Sequence, residues 1–183
     1  MKILIIILWV SFYSCSSVVY KTKTKSFSND INSMKRISIQ ISEKNISEKS
    51  KLLLYDILKQ EFSHRTLFIV YSEKDKSMKR DGIFFVEANE KIKGNTIELS
   101  LIGHFVDTKM NLSIWHSKLK KSFDLGSKEN LSVSETYAEK YGNEIKPKVN
   151  PYFELSKSLI ENLEGPKSLS EDEELEKIEI ESK

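Results

Sequence analysis

Two long runs of alternating side chains, joined by a short polar segment, constrain this chain more than any other feature. Thr96–Val106 and Leu112–Leu119 both show the two-residue period of a β-strand. Residues 107–111, Asp-Thr-Lys-Met-Asn, are typical of a turn. The pattern therefore predicts a long antiparallel hairpin.

The hairpin sequence also predicts its own register. When Phe105 is placed opposite Trp115, His104 lies opposite His116 on the other face. Apolar residues then occur on both faces of the hairpin, which is typical of strands in the centre of a sheet.

A strand, a helix and a further strand precede the hairpin. Arg36–Ser42 alternates with period two, and the apolar residues of 53–62 recur at helical spacing. Thr66–Tyr71 is a continuous apolar run, which favours a strand buried on both faces. A strand, helix and strand of this length form a βαβ-sized unit, so we expect its two strands to be parallel.

Capping residues predict where the helices begin. Asn45 and Glu48 have the spacing of a capping box for the first helix. Ser134–Tyr141 reads as a short helix, and Asn150 followed by Pro151 marks the start of the last one. These patterns predict the α+β class, with a single mixed β-sheet of about five strands packed by two main helices. The predicted order is β-α-β-β-β-β-α.

The amino terminus resembles a bacterial lipoprotein signal. Residues 3–10 are apolar but fall well short of the ~20 needed to span a bilayer. The chain's single cysteine, Cys15, follows the small residue Ser14, whereas Phe12 and Tyr13 are bulkier than the usual pattern. Such loose signals are typical of spirochaete-type lipoproteins. The resemblance implies cleavage before Cys15 and attachment of lipid, palmitate among the acyl groups, to that residue.

The sequence thus divides into four parts. Residues 1–14 form the signal peptide, and 15–35 hold the lipidated cysteine and a flexible tether rich in Ser, Lys, Thr and Asn. Residues 36–166 form the α/β globular domain. Residues 167–183 carry seven acidic and three basic side chains, which predicts an acidic, mobile tail. The serines after the cysteine, by resemblance to enteric-type sorting, favour the outer membrane.

The basic residues argue against nucleic-acid binding. Only three of the 29 are arginine, the side chain best suited to phosphates and base edges. We therefore expect no nucleic-acid partner.

Histidines provide the sharpest hint of chemistry. His104 and His116 could share a metal ion or act as a general base, but a metal site usually needs a third ligand, and Asp107 would point to the other face. The motif patterns of serine and zinc hydrolases and of phosphate loops are absent. We therefore expect no enzyme activity and no cofactor, and packing as the role of the histidine pair.

One partner-binding surface can be suggested. Trp115 is followed by Lys118, Lys120 and Lys121, and an exposed Trp beside these lysines could bind acidic glycans or a partner groove. The alternatives are that Trp115 belongs to the core and that the lysines only protect a sheet edge.

Three features of the sequence together resemble a known group of proteins. They are the order of elements, the hairpin, and the segment from Tyr141-Gly142 through Val149–Phe153 to Gly165-Pro166. This group contains uncharacterised bacterial lipoproteins with a small α/β domain. That domain is similar to those of the penicillin-binding-protein activator, TolB amino-terminal and curli-secretion lipoproteins. The resemblance implies no catalytic residues.

These observations predict a lipid-anchored protein of the cell envelope. We expect a non-enzymatic binding or assembly role on a membrane or wall-synthesis protein, with the domain in the periplasm or on the cell surface. One alternative is a surface-exposed lipoprotein that binds host or environmental macromolecules. The other is a periplasmic metal-binding protein that uses His104 and His116.

Overall fold

The structure is a computed structural model that describes residues 17–42, 46–72, 79–126 and 131–164. Six strands and four α-helices occur in these ranges, with a 3₁₀-helix before the last α-helix. In chain order they are β1 (Ser17–Lys23), α1 (Phe27–Asn32), β2 (Arg36–Ser42), α2 (Glu48–Arg65), β3 (Ile69–Tyr71), β4 (Gly82–Lys93), β5 (Thr96–Asp107), β6 (Leu112–Asp124), α3 (Leu131–Tyr141), the 3₁₀-helix (Asn143–Lys148) and α4 (Val149–Glu161).

All six strands belong to one mixed sheet, in the order β1-β6-β5-β4-β2-β3. β2 is parallel to both β3 and β4, and the remaining neighbours are antiparallel. The predicted α+β class with a single mixed sheet is confirmed, and so is the parallel pairing of β2 with β3. The strand that the sequence analysis did not predict is β1.

The predicted hairpin register is confirmed. Phe105 pairs with Trp115 and His104 pairs with His116. β5 has a strictly alternating burial pattern, which is expected for a strand that presents one face to the core. The turn that follows β5 contains Asn111, whose φ of 51° is in the left-handed region that glycine usually occupies in such turns.

The hydrophobic core lies between one face of the sheet and the helices α2 and α4. Alternate residues of the central strands point into this core, and the helices contribute an apolar stripe each. The largest fully buried side chains of the core include Trp115, Tyr152, Phe27, Phe62, Phe84 and Phe105. No helix in the described ranges is both long and apolar enough to cross a membrane.

The prediction of a flexible tether over residues 15–35 is wrong for the part that the structure describes. Ser17–Lys23 forms β1 at the edge of the sheet, and the short helix α1 buries Phe27 and Ile31. The alternation of β1 is hidden in the sequence because a β-bulge shifts its register between Val18 and Tyr20. The ordered domain therefore begins within two residues of Cys15.

Three element boundaries also differ from the predictions. Ser47, not Asn45, caps α2, since its hydroxyl accepts the Ser50 N–H at 3.1 Å; Asn45 lies outside the described residues. Thr66–Tyr71 was predicted as a strand buried on both faces. Only Ile69–Tyr71 forms a strand, β3, which lies at the edge of the sheet and leaves Ile69 54% exposed. α4 begins at Val149 without a side-chain cap, because the 3₁₀-helix leads directly into it.

Candidate functional site

Among the described residues, no helix packs on one face of the sheet. This open face consists of alternate side chains of the three central antiparallel strands, which are partly exposed where their sequence neighbours are buried. We define the open face by Ile83, Phe85, Glu87, Ile102, His104, Val106, His116 and Lys118.

The histidine pair lies in the middle of the open face. The rings of His104 and His116 stack with centroids 3.9 Å apart and planes 17° apart. The Tyr20 hydroxyl of the edge strand β1 lies 2.7 Å from His116 Nε2, and its ring meets the imidazole edge-on. Burial and the nearby His104 hold the pKa of His116 below its ordinary value of 6.5, although Glu87 acts in the opposite direction. Nε2 of a neutral His116 can accept a hydrogen bond from the Tyr20 hydroxyl.

The stacked arrangement does not suit metal chelation. The lone pairs of an imidazole lie in the plane of its ring, so two nearly parallel rings direct them side by side rather than toward a common point. Asp107 lies on the core side and accepts the Lys109 N–H at 2.7 Å within the turn. Within the described ranges, no group of three or more His, Cys, Asp or Glu side chains could hold a metal ion.

A cleft of about 500 Å³ opens beside His104. Phe85 and Val106 contribute apolar surface to it, and Gln40 and Glu87 contribute polar atoms. An apolar wall with a few polar groups is typical of sites that bind a peptide or a small organic molecule. The cleft and the histidine stack share one continuous surface, because His104 contributes to both.

The predicted partner-binding set of Trp115, Lys118, Lys120 and Lys121 does not form one surface. Trp115 is 1% exposed and packs on Phe84, so of its two predicted assignments the one to the core is confirmed and the one to partner binding is not. Lys121 also lies on the helical side, where it contacts Glu154 at 2.7 Å. Lys118 belongs to the open face, and Lys120 forms an ion pair with Glu98 at 3.0 Å. The alternation of the strand separates these residues onto opposite faces.

The sequence analysis missed a buried polar cluster between α2, β4, the 3₁₀-helix and α4. Glu90 accepts hydrogen bonds from Lys148 Nζ at 2.7 Å and from the Tyr152 hydroxyl at 2.9 Å. Ser50 contacts Glu90 and Lys148 at 3.3 and 3.2 Å. Burial and the Glu90 charge raise the pKa of Tyr152 far above its ordinary value. No local sequence pattern indicates this cluster, because its members come from four separate elements: α2, β4, the 3₁₀-helix and α4.

The predicted lipidation site, Cys15, and the predicted acidic tail over residues 167–183 lie outside the described residues. The structure does establish that β1 begins at Ser17, two positions after the cysteine. It also ties β1 to the end of α4, because Lys21 and Lys23 both contact the Glu164 carboxylate.

No protein-family model matches the chain, and no curated protein matches it in sequence. Among solved structures, it is similar to the hypothetical protein CT253 from Chlamydia trachomatis. The two are 11% identical over 72% of this chain and 96% of CT253, with a TM-score of 0.51. The PelC dodecamer of Paraburkholderia phytofirmans matches at 10% identity over 73% of this chain and 96% of PelC, with a TM-score of 0.49.

A minor lipoprotein from Acinetobacter baumannii matches at 10% identity over 74% of this chain and 98% of its own length, with a TM-score of 0.30. At these identities a likeness concerns the fold alone, and of the three only CT253 exceeds a TM-score of 0.5. The resemblance to the penicillin-binding-protein activator, TolB and curli-secretion families stays a prediction.

Proposed function

We propose that this chain is a lipid-anchored protein of the bacterial cell envelope that binds a partner through the open face. The observation that carries the proposal is the cleft beside His104, which lies on the open face, where no helix of the described residues packs; Lys51 of α2 also lines the cleft. The lipoprotein-like signal before Cys15 supports the anchor. Lipid at Cys15 would hold the domain at the outer membrane, facing the periplasm.

The proposed role is binding rather than catalysis. The Ser50–Lys148 contact is the one arrangement described above that resembles a nucleophile and its base. Ser50 is fully buried, and Lys148 Nζ donates a hydrogen bond to the Glu90 carboxylate at 2.7 Å. Both facts support a structural role for this pair.

The apolar and polar character of the cleft favours a segment of another protein as the occupant. Phe85 and Val106 offer surface to apolar side chains, and Gln40 and Glu87 can hydrogen-bond to a backbone or to polar side chains. Following the resemblance noted in the sequence, the proposed partner is an integral envelope protein or a wall-synthesis enzyme.

The anchor is tested by metabolic labelling with radioactive palmitate. We expect label in the wild type and in Ser16→Ala, and none in Cys15→Ala, because thioether attachment needs the cysteine sulfur. Equal labelling of all three proteins would contradict the anchor. Absence of label in the wild type would contradict it too.

Binding is tested by photocrosslinking in cells, with the crosslinker placed at Phe85 on the open face. Val133 on α3, which is 41% exposed, is the control position. We expect a defined envelope protein to be captured from position 85 and not from 133, and the yield to fall in Cys15→Ala. Capture from both positions, or from neither, would overturn the proposed binding face. Cleavage by protease added to intact cells would instead support display on the cell surface.

A further inference from the structure

The end of the sheet at which β1 begins carries a projecting hairpin. Ser17 of β1 pairs with Lys120, Lys120 pairs with Ser100, and Ser100 pairs with Asn89, so these four residues form one row across the sheet. β4 continues four residues beyond Asn89 before the turn. At about 3.3 Å per residue, the β4–β5 tip projects roughly 13 Å past the row of Ser17.

The amino-terminal end of β1 faces this same tip. β1 is antiparallel to β6, and the residues of β6 after Lys120 pair with the residues of β5 nearest the tip. The proposed anchor at Cys15 is two positions before Ser17 in the sequence. Two residues of extended chain span at most about 7 Å, which is less than the projection of the tip.

The composition of the tip suits the surface of a bilayer. Ile92 is 49% exposed and lies between Lys91 and Lys93, which are also exposed. The two lysines contribute to a shallow cavity of about 210 Å³ together with Thr96 and Glu98. Because side chains alternate along a strand, Ile92 lies on one face of the tip and the two lysines lie on the other. The tip can therefore place an apolar side chain in the interface while the cations contact lipid phosphates.

The lysines of the tip outnumber the carboxylate beside them. Glu98 lies opposite Lys91 in the β4–β5 pair and forms an ion pair with Lys120 at 3.0 Å. The ammonium groups of Lys120, Lys91 and Lys93 hold the pKa of Glu98 below its ordinary value. The Asp124 carboxylate is held in the adjacent turn, where it accepts hydrogen bonds from Asn95 and from the Gly126 N–H. Three ammonium groups around the Glu98 carboxylate leave this part of the tip with an excess of positive charge.

We propose that the β4–β5 tip, through Lys91, Ile92 and Lys93, contacts the anionic headgroups of the membrane that holds the lipid anchor. This inference rests on the proposed lipidation of Cys15. It implies that the domain meets the bilayer at two points, the lipid and the tip. The open face and its cleft are then oriented at a steep angle to the membrane plane.

The test uses spin labels on the lipidated protein, reconstituted in phosphatidylcholine vesicles with or without phosphatidylglycerol. Because lipidation consumes the single native cysteine, a label introduced by Ile92→Cys is attached at one position only. The matched control is Met110→Cys, which is 50% exposed in the turn at the opposite end of β5. We expect the label at 92 to be shielded from a water-soluble relaxation agent in phosphatidylglycerol vesicles, and the label at 110 to stay fully accessible.

Charge dependence is tested in the same samples with Lys91→Gln and Lys93→Gln combined. Each lysine near an anionic surface contributes roughly fivefold to binding, so the shielding gained from phosphatidylglycerol should be lost. Equal accessibility at positions 92 and 110 in a protein that carries palmitate would overturn the membrane contact and leave the anchor intact. Absence of palmitate would overturn the anchor, and the contact with it.

Discussion

His104 and His116 stack across β5 and β6 with their ring planes 17° apart. Burial and the neighbouring His104 hold the pKa of His116 below 6.5, so this arrangement favours a neutral His116 imidazole. His116 is therefore a pH-sensitive residue in the middle of the open face.

We expect the free energy of unfolding to fall as the pH is lowered from about 7.5 to about 5. The folded-state pKa of His116 lies below 6.5, so the unfolded chain binds more protons in the window between that lower value and 6.5. The stabilising contribution of His116 is present above this window and is lost as the pH falls through it. Urea denaturation at a series of pH values measures the effect.

In this experiment, His116→Gln should show a shallower dependence of stability on pH than the wild type. His64→Gln is the control, because His64 is exposed at the end of α2. If His116→Gln kept the full pH dependence, the stack would not be its source.

Gly103→Ala should destabilise the domain by about 1–3 kcal/mol, because the core at this position has no space for a methyl group. An added Cβ would lie 2.9 Å from Trp115 Cζ3 and 3.2 Å from Phe84 Cζ. Ser100→Ala, on the same strand but on the opposite side of the sheet, is the control and should change the stability little. Urea denaturation measures the free energy of unfolding of both variants. An unchanged free energy of unfolding in Gly103→Ala would show that the core rearranges to hold the added methyl group.

Glu90→Ala should cost about 3 kcal/mol, because it leaves the largely buried Lys148 ammonium without its carboxylate partner. Glu144→Ala removes a carboxylate from a solvent-exposed ion pair with Lys49. Exposed pairs add little to stability, so this variant should lose much less stability than Glu90→Ala. Thermal unfolding compares the two variants, and equal losses would contradict the structural role assigned to the buried cluster.

Trypsin should cleave the folded protein slowly after Lys21 and Lys23, because both lie in β1 and are held by the Glu164 carboxylate. Glu164→Gln should speed cleavage because it removes the negative charge that both lysines contact. The two lysines hold the pKa of Glu164 down at about 2, so this carboxylate is charged at neutral pH. Mass spectrometry of the fragments gives the rates. Rapid cleavage at both sites in the wild type would restore the tether predicted from the sequence.

The central hairpin was predictable because residues close together in the sequence determine its strands, its turn and its register. An alternating pattern on each side of a short turn fixes which residues face each other, and the pairing of His104 with His116 followed directly. The same alternation places Trp115, at an odd position, on the opposite face of β6 from Lys118 and Lys120, at even positions. The sequence alone therefore disfavoured a binding surface shared by these residues. β1 was missed because its bulge breaks the alternation on which the prediction depends.

The buried cluster could not be predicted for a different reason. Glu90 and Lys148 are separated by 58 positions, and each reads as an ordinary surface charge in its own segment. Only the tertiary fold, which places the 3₁₀-helix beside β4, brings them together. The open face was equally hidden, since a sequence shows which side chains share a face but not which face the helices cover.

The way β1 joins the sheet determines how the domain carries mechanical load. A pull on residue 15 along the strand axis would stretch the β1–β6 hydrogen bonds in shear, all at once, rather than opening them one after another. The Glu164 contacts with Lys21 and Lys23 would pass part of that tension to the end of α4. A lipid at this position would therefore act as a tension-bearing attachment, able to hold a bound partner against the membrane.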